Sequence, residues 1–143
     1  MASEYTQYND SNLEKERRLK FRGTVRVRLE ALTFQWNEPR ELDAKNVDHL
    51  KSCFQKDGCY RLVPQNRVPA IIDEGGFTTA ILTSGLSERD LLSQQAAGIP
   101  ELVLPDGFQL RCLHGKHRIQ AARETLLPGD RWWTIDLYIA GRV

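Results

Sequence analysis

Residues 108–122 read Phe-Gln-Leu-Arg-Cys-Leu-His-Gly-Lys-His-Arg-Ile-Gln-Ala-Ala. The first half alternates. Phe108, Leu110 and Cys112 fall on one side of an extended chain, and Gln109, Arg111 and Leu113 on the other, the period-two pattern of a half-buried strand. After Gly115 the period changes: Ile119, Ala122 and Leu126 recur on one helical face, and Pro128-Gly129 ends the helix. A strand therefore passes into a helix through a glycine turn. A helix N-terminus leaves backbone N–H groups unpaired and carries the positive end of the macrodipole. Lys116, His117 and Arg118 add up to three cationic donors in that first turn. Cations there oppose the dipole and cost stability without an anion, so the arrangement suits a phosphate site, with Gly115 allowing close backbone approach. The same residues also read as solvated charges beyond a plain turn, because short basic motifs are common.

Working outward, Trp133, Ile135, Leu137 and Ile139 alternate as a last strand. Upstream, Asp106-Gly107 is a turn signal. Ser87-Glu-Arg-Asp90 resembles a capping box, with Leu91, Leu92, Gln95 and Ala96 extending its helix to Gly98. Val68-Pro-Ala-Ile-Ile-Asp73 reads as a short buried strand. Asp43 is a good N-cap for a helix carrying Val47, Leu50 and Phe54, closed by Gly58 at a left-handed position. From Thr24 to Leu32 another strand is predicted, with Val25, Val27, Leu29 and Ala31 facing one way and Arg26, Arg28 and Glu30 the other; Asn37-Glu-Pro-Arg40 breaks it. Residues 1 to about 12 are polar and aperiodic, a loose leader. Residues 1–23 are thus expected to be a polar leader and basic segment, and 24–143 one domain.

With 143 residues, 41% hydrophobic and 27% charged, the chain has the composition of one globular domain. Its apolar runs are too short for a membrane span, and its start lacks a secretory signal. Three cysteines at irregular spacing are expected to be reduced. A net charge of +1 argues against a surface built wholly to bind a polyanion. The total hides an uneven distribution. Between Ser11 and Arg28, Lys15, Arg17, Arg18, Lys20, Arg22, Arg26 and Arg28 face only Glu14 and Glu16, a local +5, and the remainder is net acidic. That stretch reads either as solvated charge or as a phosphate-contacting arm.

The order of these elements resembles the ParB/sulfiredoxin superfamily. Pro39-Arg-Glu-Leu-Asp43 with Val47, Leu50 and Lys56-Asp-Gly58 looks like the first block of that family. Phe108–Ala122 looks like its second, the Gly-Glu-Arg-Arg-x-x-Ala-Ala box. The resemblance spans residues 24–140, interrupted by a 33-residue insertion at about 74–106. The chain also resembles a group of fungal proteins, several linked to large mobile elements, that carry this domain within longer chains. The resemblance implies an α+β fold with a small mixed sheet, and nucleotide phosphates (CTP in ParB, ATP in sulfiredoxin) held at the second block. Gly115, Arg118, Ala121 and Ala122 match that box, and Arg40 matches the arginine of the first block. Lys116 stands where sulfiredoxin has its cysteine, which disfavours a sulfinic-acid reductase. It also stands where ParB has an acidic residue, which puts CTP hydrolysis in doubt.

Several smaller readings complete the set. Cys112 shares the face of Phe108 and Leu110 and reads as a small core residue. Cys112, His114 and His117 match no standard zinc spacing, so no protein metal site is expected. Glu30, Glu38 and Glu41 are the acidic candidates for Mg²⁺ or general-base work; Asp43 is better explained as a cap. Trp133 has core phase, while Trp132 and Trp36 stay open to base stacking. The leading expectation is a nucleotide (CTP or ATP) phosphate-binding module of a DNA-associated, intracellular and nuclear protein. Gly115, Lys116, His117, Arg118 and Arg40 would hold the phosphates, Mg²⁺ would accompany the triphosphate, and Lys15, Arg17, Arg18, Lys20 and Arg22 would contact DNA. The alternatives are a nucleotide-dependent phosphotransferase or hydrolase, and a degenerate protein-interaction domain. Partners are expected to be the nucleotide, DNA, other domains of a longer chain and, as an option, a second copy; no membrane is expected.

Overall fold

A computed structural model of the chain describes residues 19–34, 43–92 and 98–140. It has mixed helix and strand, an α+β arrangement around one small mixed sheet. In chain order the elements are β1 (Leu19–Arg28), β2 (Leu32–Thr33), α1 (Ala44–Asp57), β3 (Val68–Ile72), α2 (Glu74–Ser84), α3 (Glu88–Leu92), β4 (Leu110–Cys112), α4 (Lys116–Thr125) and β5 (Trp132–Ala140). The five strands lie in the order β1-β5-β3-β4-β2. β1/β5 and β3/β4 are antiparallel; β5/β3 and β4/β2 are parallel.

The alternating strands place one set of side chains in the core. Val25, Val68, Leu110, Trp133, Ile135 and Leu137 are almost completely buried there. Helices supply the complement: Phe77 and Ala80 from α2, Leu91 from α3, Ile119 and Ala122 from α4 all join the same cluster. Trp133 carries its own polar partner inward, Nε1 donating to the Asn66 carbonyl at 2.8 Å. Burial of such large side chains is the main stabilising term of a domain this size.

Local signals set the helix ends. The Asp43 side chain accepts the Lys45 N–H, and Gly58 closes α1 at φ +93°. The Ser87–Asp90 capping box closes reciprocally: Asp90 Oδ2 accepts the Ser87 N–H at 2.8 Å and Ser87 Oγ accepts the Asp90 N–H at 3.3 Å. The extension of that helix beyond Leu92 toward Gly98 lies outside the described residues.

Three boundaries differ from the sequence reading. The first strand starts at Leu19 rather than Thr24, so the division at residue 23/24 falls inside β1. A bulge between Phe21 and Gly23 interrupts its pairing with β5. That bulge breaks the alternation on which the sequence reading depended. The same strand stops at Arg28, and Leu29–Ala31 form a single 3₁₀ turn, leaving Ala31 half-buried rather than core. Finally, β4 begins at Leu110, because Phe108 closes the Asp106-Gly107 turn by donating its N–H to the Pro105 carbonyl. Segment 74–106 is no appendage. It contributes Phe77, Ala80, Ile81, Leu91 and Leu102 to the core, and its Leu102 N–H and Pro100 carbonyl bond the backbone of Arg26.

Candidate functional site

The turn between β4 and α4 is fixed from both sides. The Leu113 N–H donates to the Pro69 carbonyl at 2.8 Å and ends β4 against β3. Gly115 then adopts φ +98°, ψ +16°, and its carbonyl accepts the Ile119 N–H. A Cβ at Gly115 would lie 2.7 Å from Val68 Cγ2. Glycine is therefore required twice over here, by the left-handed backbone and by the buried valine beneath it.

The N-terminus of α4 has no side-chain cap and no acidic residue in its first turn. The other described α-helices start differently. Asp43 caps α1, Asp73 caps α2 through the Gly76 N–H, and the Ser87–Asp90 pair caps α3. At α4 the cap position is Gly115, and Lys116, His117 and Arg118 fill the first turn.

These three residues do not act alike. His117 Nε2 accepts the Asp43 N–H at 2.9 Å, which ties the start of α4 to the start of α1. That nitrogen is thus taken up as an acceptor within the fold, whereas the sequence suggested a third cationic donor. Lys116 faces an open groove of about 500 Å³, shared with Glu30, Thr33, Gln109, Gln120 and Arg123. Arg118 is half-buried on the same first turn. Farther along, Lys51 and Glu124 pair at 3.0 Å between α1 and α4, and this hydrogen bond raises the Lys51 pKa.

Glu30 is brought to the groove that Lys116 lines. Its carboxylate accepts from Arg28 Nε at 2.7 Å, and this bond holds it below the usual carboxylate range. Arg123 was missed by sequence reasoning. It donates to the Leu32 carbonyl at 2.7 Å and the Leu29 carbonyl at 3.3 Å, clamping the 3₁₀ turn to α4. Its position seven residues after Lys116, on one helical face, was the available signal. Arg40, Glu38, Glu41, Lys15, Arg17, Arg18 and Trp36 lie outside the described residues.

The remaining candidates separate clearly. Lys20 is exposed on β1. Arg22 is engaged, with Glu88 at 3.4 Å and its guanidinium 5.7 Å from the Phe77 ring centroid. Cys112 is buried, and that burial pushes its thiol up to about 12, so it is no nucleophile at neutral pH. His114 is exposed at the turn. Among the described residues no group of three His, Cys, Asp or Glu side chains is placed to hold a metal ion. No described helix is long and apolar enough to cross a membrane. Trp132 lies beneath two guanidiniums, Arg61 at 3.5 Å and Arg26 at 5.1 Å from its ring centroid.

A family profile described as "Protein of unknown function (DUF3723) N-terminal domain" matches residues 20–142. No curated protein and no solved structure matches the chain. The chain belongs to the DUF3723 N-terminal domain family.

Proposed function

We propose that this domain is a nucleotide phosphate-binding module of ParB/sulfiredoxin-like type, with the phosphates seated at the N-terminus of α4. One observation carries the reading: α4 begins on an uncapped glycine with cations in its first turn, while each other described α-helix begins on an oxygen acceptor. Cations at the positive end of a helix dipole are unfavourable until an anion arrives. Lys116 and Arg118 supply the charge, Gly115 the close approach, and His117 positions the turn through Asp43. CTP and ATP are the candidate ligands, with Mg²⁺ as companion of the triphosphate. The proposal includes DNA association through the basic run that ends in β1, where Lys20 is exposed.

Calorimetric titration with CTP, ATP, GTP and UTP in the presence of Mg²⁺ tests it. Binding of at least one triphosphate at sub-millimolar concentration is expected. Arg118→Ala removes a charge-assisted interaction worth about 1.5–3 kcal/mol, tenfold or more in Kd. Absence of heat with all four overturns the reading. The hydrolase or phosphotransferase alternative rests on Glu30, which shares the groove with Lys116. A carboxylate held ionised by Arg28 suits Mg²⁺ better than proton abstraction. Phosphate release that is lost in Glu30→Gln would favour that alternative.

A further inference from the structure

The apolar side chains of the strands gather on one face of the sheet, and the opposite face has a different chemistry. Strand register determines who meets there. Arg26 of β1 is opposite Thr134 of β5, and Thr24 is opposite Asp136. Parallel pairing sets Val68 beside Ile135, so Arg67, one residue before β3, falls in line with Thr134. Tyr138 is beside Ile71, which is opposite Arg111 of β4. Arg26, Thr134, Arg67, Tyr138 and Arg111 all stand outside the core cluster.

The row Arg26–Thr134–Arg67 has an unmet need. Thr134 is fully buried, and its Oγ1 has no hydrogen-bond partner. The Nε atoms of Arg26 and Arg67 are also buried without partners. All three groups can donate, the Thr134 hydroxyl can also accept, and none of the three atoms has a hydrogen-bond partner. The nearby carboxylate is already engaged: Asp136 accepts the Thr24 hydroxyl at 2.7 Å and reaches Arg67 only at 4.0 Å. Arg61 and Arg28 have carboxylates of their own, Asp130 at 2.6 Å and Glu30 at 2.7 Å. Arg26 forms no ion pair among the described residues, and its guanidinium lies over Trp132.

Neighbouring buried donors left without a partner, two of them on guanidinium groups, are the complement of an oxyanion with several lone pairs. Guanidinium favours phosphate in this role. Four residues along β5 from Thr134, about 13 Å at strand rise, Tyr138 packs against Phe21 with ring centroids 5.4 Å apart. Phe21 is 48% exposed on β1, an edge strand. Arg111 adds an exposed cation to the same face.

We propose that the face of the sheet opposite the core binds single-stranded nucleic acid, with a backbone phosphate over Thr134 between Arg26 and Arg67 and a base on the Phe21–Tyr138 pair. The charge complementarity of the arginine row and the exposed Phe21 ring favour this occupant. A duplex hides the base faces that an aromatic platform reads. This site is separate from the α4 N-terminus and goes beyond the nucleotide-binding reading.

Fluorescence anisotropy with labelled oligothymidylate and oligouridylate of about 12 nucleotides tests it, against a duplex of equal length. Expected is single-strand binding at low salt that weakens about tenfold or more in Arg26→Gln/Arg67→Gln, with a salt slope shallower by roughly 0.7 for each phosphate no longer neutralised. Thr134→Val weakens oligonucleotide binding while its thermal midpoint stays equal or rises, since the hydroxyl has no partner in the free protein. Phe21→Ala, at an exposed position, reports on the platform should the arginine variants not fold. Arg118→Ala leaves oligonucleotide binding unchanged, which separates this site from the nucleotide site. Equal binding by wild type and the arginine and Phe21 variants, duplex binding as tight as single-strand binding, or no binding at low salt overturns the proposal. Dimerisation abolished by Phe21→Ala, without oligonucleotide binding, overturns it in favour of a protein contact.

Discussion

Replacing Gly115 with alanine perturbs the candidate phosphate turn through two separable costs. The residue sits at φ +98°, and an L-residue in that region loses about 1–2 kcal/mol. The added Cβ would also lie 2.7 Å from Val68 Cγ2. Val68 is 1% exposed and enclosed by the core, so it cannot swing away without disturbing its neighbours. Overpacking of this kind costs about 1–3 kcal/mol. Together they predict a loss of roughly 2–5 kcal/mol, a large part of the stability of a domain this size. Gly85 provides the control. It closes α2 at φ +68° with nothing within 4 Å of where a Cβ would stand, so Gly85→Ala carries only the backbone term, about 1–2 kcal/mol. Urea unfolding of both variants, with the m-value checked for constancy, measures the difference. Val68→Ala in the Gly115→Ala background should recover about 1 kcal/mol or more relative to additivity. If Gly115→Ala costs no more than Gly85→Ala, or if the double variant is additive, then the turn does not rest on Val68 and the explanation for its glycine fails.

Two further predictions concern the same region. Burial pushes the Cys112 thiol up to about 12, against about 8.5 in an unfolded chain. The folded pKa is the higher one, so the stabilisation is whole below about pH 8.5 and is lost as the pH rises toward 12; near pH 10 the loss is ~2 kcal/mol. The urea midpoint of wild type should therefore fall faster than that of Cys112→Ala between about pH 8 and 10, and parallel slopes would count against it. His117→Ala should cost about 1 kcal/mol by removing the acceptor of the Asp43 N–H, while His117→Gln, whose amide oxygen can accept, should keep most of that. Amide exchange at Asp43 that is equally slow in the alanine variant would refute the link.

Much of the architecture was legible because the signals were local. Asp43, Gly58, Ser87 and Gly115 each act within about one helical turn of their own position, and each does what its residue type implies. The alternation of Trp133, Ile135, Leu137 and Ile139 survives as a buried strand face. Failures occurred where a distant element intervened. The extension of β1 back to Leu19 depends on pairing with β5, more than a hundred residues away, and charged Lys20 and Arg22 mask it. At the site, residue type suggested three like cations. His117 departs from that because its partner, Asp43, belongs to a helix that packs against α4 only in three dimensions.

The arginine row shows the limit of such reading more sharply. Alternation states that Arg26, Thr134 and Arg67 point away from the core, but residues pointing away from a core are ordinarily solvated. Only register makes them neighbours, and register is a property of pairing between strands distant in sequence. A shift of one residue in β5 against β1 would bring Trp133 opposite Arg26 and carry Thr134 to the core side, dissolving the row. The observed pairing places a hydroxyl and two guanidinium nitrogens on one row without hydrogen-bond partners. Thr134 therefore provides the most discriminating position on that face. A hydroxyl kept only for the fold would lose stability on replacement by valine, because it would have a bond to lose. One kept for a ligand would lose binding alone.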